Sequence, residues 1–282
     1  MNKQAEGATP ADTRAEILRL SARGYTQIRH ILVQLPDRDK PRASTLARMM
    51  HGRRHRALLL YLLVLTCAPW LKDQHEPLQG AVWVRALTAK GAPTWSESTL
   101  SRAWNDLVEL GLVEKTRENR LVRITPRRED GAASYDPPGG RSDRYNAYFT
   151  VPDDFWTKEV FAELSLPGLV MFLVVAKETS NTSDVWLAYN RADEWYGIKP
   201  KSAQNGLDEL VRLGYATRSA QTVPAPLSPT GNTVRLRYAL TGPFGHKARK
   251  TLQARAAKAT KNRQKTAKIS PSNPNPTQGP ET

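Results

Sequence analysis

A segment at 98–111 returns at 201–214, displaced by 103 positions. Leu107, Val108, Leu110 and Gly111 match Leu210, Val211, Leu213 and Gly214. Each copy reads as an amphipathic helix that stops on a glycine, the residue best suited to the left-handed position past a helix end. In the first copy Thr94 and Glu97 have capping-box spacing, which predicts a helix from Trp95. Leu100, Ala103, Trp104, Leu107 and Leu110 form its apolar face. In the second copy Pro200 falls at the first helical position, where its missing donor costs nothing. Copies this far apart predict two units of one kind, since a solenoid repeats at a far shorter period.

The second face of each helix is polar in matching positions. Ser98, Ser101, Arg102 and Asn105 correspond to Lys201, Gln204, Asn205 and Asp208. Hydroxyls, guanidinium and amides can donate to phosphate oxygens and to base edges. Arg102 and Asn105, with Gln204 and Asn205, are the base-reading candidates; amides suit adenine. Ser98, Thr99, Ser101, Lys201 and Ser202 are candidates for phosphate contacts. A carboxylate at Asp208 repels phosphate, so it must read a cytosine, orient a neighbour or sit off the DNA. An ordinary amphipathic helix with a solvated face is the competing explanation. The recurrence favours binding.

The context recurs as well. Core helices are expected over 57–66 and 166–179. After the first come a short strand or helix lead at 81–84 and a short helix at 85–90. The candidate recognition helix follows, then strands at 113–117 and 120–124 about a Glu118-Asn119 turn. The second half opens with a strand at 146–151 and an aromatic connection at 152–163. After its core helix come a short strand at 185–187, a helix at 191–196 and a turn at Gly197. Its hairpin spans 216–222 and 232–240, with a Pro-rich tip at 223–231. Arg117, Arg120, Arg123, Arg127 and Arg128 on or beyond the first hairpin, and Arg218 and Arg235 on the second, suit phosphate or minor-groove contact. Charges that protect a solvated edge are the alternative. Trp186, Trp195 and Tyr196 are expected to fill a small core rather than stack on bases.

Core helix, strand, helix, turn, helix and hairpin in this order resemble the winged-helix fold. The Leu-x-x-Leu-Gly ending before the hairpin (107–111, 210–214) looks like that of many bacterial winged-helix regulators. Two such units in one chain resemble plasmid and mobile-element replication initiators, over about residues 41–245. The resemblance implies a mainly α fold with small β hairpins (α+β), built as two winged helix-turn-helix domains. It implies sequence-specific binding of double-stranded DNA at origin repeats, with recruitment of host replication proteins. A transcriptional regulator fits the same residues. A protein-binding winged-helix scaffold fits them less well, because such scaffolds often carry acidic or apolar outer faces. The expected division is an arm at 1–40, a first domain at 41–130, a linker at 131–145, a second domain at 146–245 and a basic disordered tail at 246–282. A homodimer is compatible with this plan.

The charge supports a polyanionic partner. Of the 282 residues, 42 are Lys or Arg and 27 are Asp or Glu, a formal charge of +15. Thirteen basic residues and no acid lie between Leu210 and Pro280. Such a one-sign field suits nucleic acid or an anionic membrane, and the tail lacks the bulky apolar anchors of a membrane-surface segment. Another acid-free basic stretch, 40–56, holds His51 and His55 four apart. No third metal ligand is near, so a basic helix entrance is expected there and not a metal site. Asp12 is expected to cap a first arm helix, and 25–35 to form a second. That arm either dimerises the chain or covers the next domain. Cys67, alone in an apolar run, is expected to pack as a small hydrophobe in a reducing interior. The run at 57–71 is too short to span a bilayer, and the N-terminus lacks a signal-peptide core. A cytoplasmic, nucleoid-associated location follows as an expectation. There is no Gly-rich phosphate loop, paired-His nicking motif or cysteine zinc finger, so neither enzymatic activity nor a cofactor is expected.

Overall fold

Thr9 starts the first ordered element. In the computed structural model its hydroxyl accepts from the Asp12 amide, while the Asp12 carboxylate accepts from the Thr9 amide. This reciprocal cap opens α1 (Pro10–Ser21), with Pro10 at the first position, so Thr9 and not Asp12 is the cap residue. The structure describes residues 7–36, 42, 44–118, 120–139 and 143–269. The expected disorder at 1–6, most of the 36–41 breaker, Asn119 of the first hairpin turn, part of the 131–145 linker and the sequence from Ser270 lie outside those residues.

α1 lies across the first half. Ile17 and Leu18 are buried, and buried Arg14 donates to the carbonyls of Ala86 and Thr88 and pairs with Glu159. The covering role expected of the arm is therefore the observed one. The helix expected over 25–35 does not form. Residues Tyr25–Arg29 are β1, followed by a single 3-10 turn at His30–Leu32. The reason is tertiary: β1 pairs antiparallel with β4 (Tyr148–Pro152), more than a hundred residues further on.

α2 (Thr45–His51) and α3 (His55–Leu71) follow. α3 is apolar all round and buried along nearly its whole length, as a helix at the centre of a core must be. It runs past Pro69 to Leu71, because a proline so near the end frees only one carbonyl inside the helix. Cys67 is fully buried in it, and burial raises the thiol pKa. α4 (Gly80–Leu87) takes the helical alternative at 81–84. Then come α5 (Glu97–Glu109), β2 (Val113–Glu118) and β3 (Leu121–Pro126).

The second half repeats this order with additions. β4 (Tyr148–Pro152) leads through α6 (Asp154–Thr157) and α7 (Val160–Glu163) to α8 (Leu166–Glu178), its central buried helix. β5 (Val185–Trp186), α9 (Ala192–Tyr196) and α10 (Pro200–Arg212) precede a long hairpin, β6 (Ala216–Pro224) and β7 (Asn232–Leu240). β5 joins that hairpin in the order β5-β7-β6. The whole is an α+β fold in which helices predominate and the strands form small antiparallel sheets.

One hydrophobic cluster runs through both halves. Gln34 links them too: its amide donates to the Trp195 carbonyl at 2.8 Å and accepts from Lys177 at 2.6 Å. The segment at 127–146 is fastened by Arg29 of β1, whose guanidinium reaches Glu129, Asp136 and Asn146. Disorder expected at 246–269 is not found. These residues are α11 (His246–Ile269), consistent with a composition rich in Ala, Lys, Arg and Gln.

Gly206 marks where α10 crosses α8 most closely. Its equivalent in the first half is Ala103 of α5, buried in the ordinary way. A Cβ on Gly206 would overlap the Pro167 carbonyl and come within 2.7 Å of Met171 Cγ. Gly206→Ala is therefore expected to destabilise the fold by ~1–3 kcal/mol through overpacking. Urea unfolding would show this as a lower midpoint; an unchanged midpoint would mean the helices separate at no cost.

Candidate nucleic-acid interface

The two polar-faced helices are matched in detail. α5 and α10 each have thirteen residues, at the sequence displacement of 103. Both end identically. Gly111 and Gly214 have φ of 74° and 79°, the left-handed region that favours glycine. The Leu112 amide reaches the Leu107 carbonyl at 2.9 Å, and the Tyr215 amide reaches Leu210 at 2.9 Å. These are the long-range bonds of a Schellman ending. Leu100, Ala103, Trp104, Leu107 and Leu110 are buried in the first half; Ala203, Leu207 and Leu210 are buried in the second.

The start of α5 differs from the expectation. Ser96, not Thr94, is the N-cap: the Thr99 amide donates to its hydroxyl at 3.3 Å, and its own amide donates to Thr99 Oγ1 at 2.8 Å. Trp95 is buried outside the helix, which anchors the later entry. The Thr99 hydroxyl also donates to the Ser96 carbonyl, so it is occupied by the cap. Ser98, Ser101, Arg102 and Asn105 are exposed. Neither Arg102 nor Ser101 has a side-chain partner among the described residues.

Each helix is tied to its hairpin at the same register. Lys115 Nζ donates to Asn105 Oδ1 at 3.4 Å, and Arg218 donates to Asp208 Oδ1 at 2.9 Å. Both pairs stand ten residues apart, and both map onto one another by the 103 displacement. Of the possibilities for Asp208, orienting a neighbour is the one observed: its charge is met by Arg218.

The hairpins differ from their expected form. β2 and β3 pair in a register that sets Glu118 opposite Leu121, so Glu118 belongs to the strand and not to the turn expected at Glu118-Asn119. Arg120 has φ 69°. Arg123 is a clamp: it grips both Glu118 oxygens and donates to the carbonyls of Gln74 and His75 at 3.2 and 3.0 Å. Arg127 pairs with Glu114, and Arg128 with Asp130. Of the five arginines, only Arg117 and Arg120 are exposed without a carboxylate partner among the described residues. Sequence alone carries little sign of which arginines are paired: Arg123 and Arg127 meet backbone carbonyls and cross-strand acids, and Arg128 meets an acid two residues away.

On α10, Lys201 and Asn205 are exposed, while Ser202 and Gln204 are half-buried. Lys201 lies 3.4 Å from Gln204 Oε1. Arg235 is exposed over the face of Trp186, 4.5 Å from the ring centre. Trp186 meets Trp195 edge-on, and Tyr196 is buried with its hydroxyl on Glu178, so these rings are packing groups. Arg237 pairs with Asp184.

A groove between the halves has no signature in the sequence. It is lined by His51, Arg53 and His55 from the α2–α3 turn and by Pro167, Lys199 and Ser202 from the second half. His51 ends one helix and His55 starts the next, so they do not share a helical face. The groove brings the basic entrance of the first half beside the first turn of α10. Among the described residues no group of three or more His, Cys, Asp or Glu is placed to hold a metal, and no helix is long and apolar enough to cross a membrane.

No protein-family model, curated protein or solved structure matches the chain.

Proposed function

We propose that this protein is a sequence-specific binder of double-stranded DNA, and that its two repeated units are winged-helix modules. The supporting observation is the paired geometry: two helices of equal length, identical endings and acid-free or acid-neutralised outer faces, each linked to its hairpin at one register. α5 and α10 enter successive major-groove segments. Arg102, Gln204 and Asn205 read base edges. Ser98, Ser101, Lys201 and Ser202, with Arg117, Arg120 and Arg235, hold phosphates.

Replication initiation is the finer reading we propose. A palindromic operator mirrors a two-fold dimer. Here the two modules belong to one chain, differ in hairpin length and face residues, and are joined through β1–β4. Such a pair suits a non-palindromic site repeated head to tail, the layout of an origin, with host replication proteins as partners. Genome-wide mapping separates this from transcription control: direct repeats beside an AT-rich tract support initiation, and isolated promoter sites oppose it.

α11 supplies the non-specific contact. Arg255, Lys258 and Lys261 lie on it beyond the packed first turns, followed in sequence by Arg263, Lys265 and Lys268. Truncation after Gln253 keeps buried Arg249 in place. It is expected to lower the slope of log affinity against log salt by up to ~0.9 for each phosphate no longer neutralised, with site preference intact. Binding measured by fluorescence anisotropy across a salt series checks this. Loss of site preference would contradict the assignment.

A further inference from the structure

Arg249 is 3% exposed and has no carboxylate partner among the described residues. Its terminal nitrogens donate to the carbonyls of Ala176 and Thr179 and to the Thr179 hydroxyl, at 2.7 to 2.9 Å. These bonds satisfy acceptors at the end of α8 but, among the described residues, leave the charge without a counter-ion and Nε without a hydrogen-bond partner. Buried charges are ordinarily paired, and a buried orphan donor calls for a bound ion or water.

Arg249 lines a cleft of about 270 Å³ between the first turns of α11, the β4 strand and the 3-10 turn after β1. His30, Ser180, Asn181, His246 and Lys250 also line it, and no acid among the described residues does. His30 carries a second such atom: its Nε2 is buried and has no hydrogen-bond partner among the described residues. Burial and Lys177 pull the His30 pKa down to about 4, although Glu178 acts in the opposite sense. Glu178 is already engaged by Lys177 and by the Tyr196 hydroxyl. Burial likewise lowers Arg249 to about 10. His246 Nδ1 is fixed on the Thr179 carbonyl at 2.9 Å, which makes Nδ1 the donor. Lys250 Nζ donates to Asn181 Oδ1 at 3.4 Å.

We propose that this cleft is a binding site for a small phosphate, free or as a monoester. Its volume lies at the lower edge of organic-ligand pockets, which run from ~300 to ~1,000 Å³. A phosphate carries roughly −1.5 to −2 charges at neutral pH and offers several strong acceptors, which suits a site with two cations, a hydroxyl and an amide. Duplex DNA is too thick to bring a backbone phosphate to a guanidinium this buried. The site is therefore separate from the proposed DNA faces, and does not rest on that reading. Because α11 supplies three of the lining side chains named above, occupancy would fix the base of the basic helix.

Inorganic phosphate and a phosphate monoester, titrated separately into the full chain at constant ionic strength in chloride, test this. Thermal unfolding and the His30 C2–H resonance are the readouts. Saturable stabilisation with a matching His30 shift is the expected result, and the tighter of the two titrants identifies free phosphate or an organic monoester as the ligand. Lys250→Gln and His30→Gln, which leave the Arg249 bonds in place, are each expected to weaken binding about tenfold. The inference is overturned if neither titrant exceeds chloride, if both variants respond like the wild type, or if only duplex DNA shifts His30.

Discussion

Glu129→Ala is expected to destabilise the fold by about 3–5 kcal/mol, because it removes the buried counter-charge of a buried guanidinium and leaves it only the exposed Asp136 carboxylate. Arg29 and Glu129 are both 0% exposed, at 2.8 Å. The Arg29 amide also donates to Glu129 Oε1 at 3.0 Å. Burial raises the Glu129 pKa, and the Arg29 charge and its hydrogen bonds oppose that rise. The remaining guanidinium donors go to the Asp136 carbonyl and carboxylate and to Asn146 Oδ1, and Tyr135 lies beneath the group at 5.5 Å. Arg29→Met should cost as much, since it leaves the carboxylate without its cation. Removing both charges as Arg29→Met with Glu129→Leu should cost less than either single change, because no uncompensated charge remains. Urea denaturation of the four proteins checks this. Single changes below about 1 kcal/mol would contradict a pair that fastens 127–146 to β1, and to β4 through it.

Arg102→Ala is expected to cost ~1–3 kcal/mol on the preferred site and to relax preference at one base, while leaving affinity for random duplex nearly unchanged. Arg102 is exposed in the middle of α5, one turn from Ser98 and three residues from Asn105, with no internal partner among the described residues. Stability should therefore hold within ~0.5 kcal/mol, as at most surface positions. Arg117→Ala serves as the contrast. On the exposed hairpin it should weaken all sequences alike and reduce the salt slope by about one. Equal losses on specific and random DNA for Arg102→Ala would move it to the phosphate contacts.

Much of this arrangement is legible because it rests on local rules written twice. Gly111 and Gly214 announce two helix ends, and Leu107 and Leu210 the buried faces behind them. β1 is not legible. Ile28, Ile31 and Leu32 fit a helical stripe, and only pairing with Phe149 and its neighbours in β4 decides for a strand. The basic hairpin is legible as charge but not as free charge, since Arg123 is engaged by carbonyls forty-eight and forty-nine residues away in sequence. Composition alone reads 246–269 as unfolded. Buried Arg249 at the end of α8 is a long-range contact that composition cannot report. The Asn105–Lys115 and Asp208–Arg218 links do carry a sequence signal, a shared ten-residue spacing, but it means nothing until helix and hairpin are packed together.

The most direct test is selection of bound duplexes from a randomised pool, with the wild type, Arg102→Ala and a Gln204→Ala/Asn205→Ala double variant. The account predicts a non-palindromic site with two blocks, one losing information with Arg102→Ala and the other with the double variant. A site that survives both changes intact, or no enriched sequence at all, would contradict it.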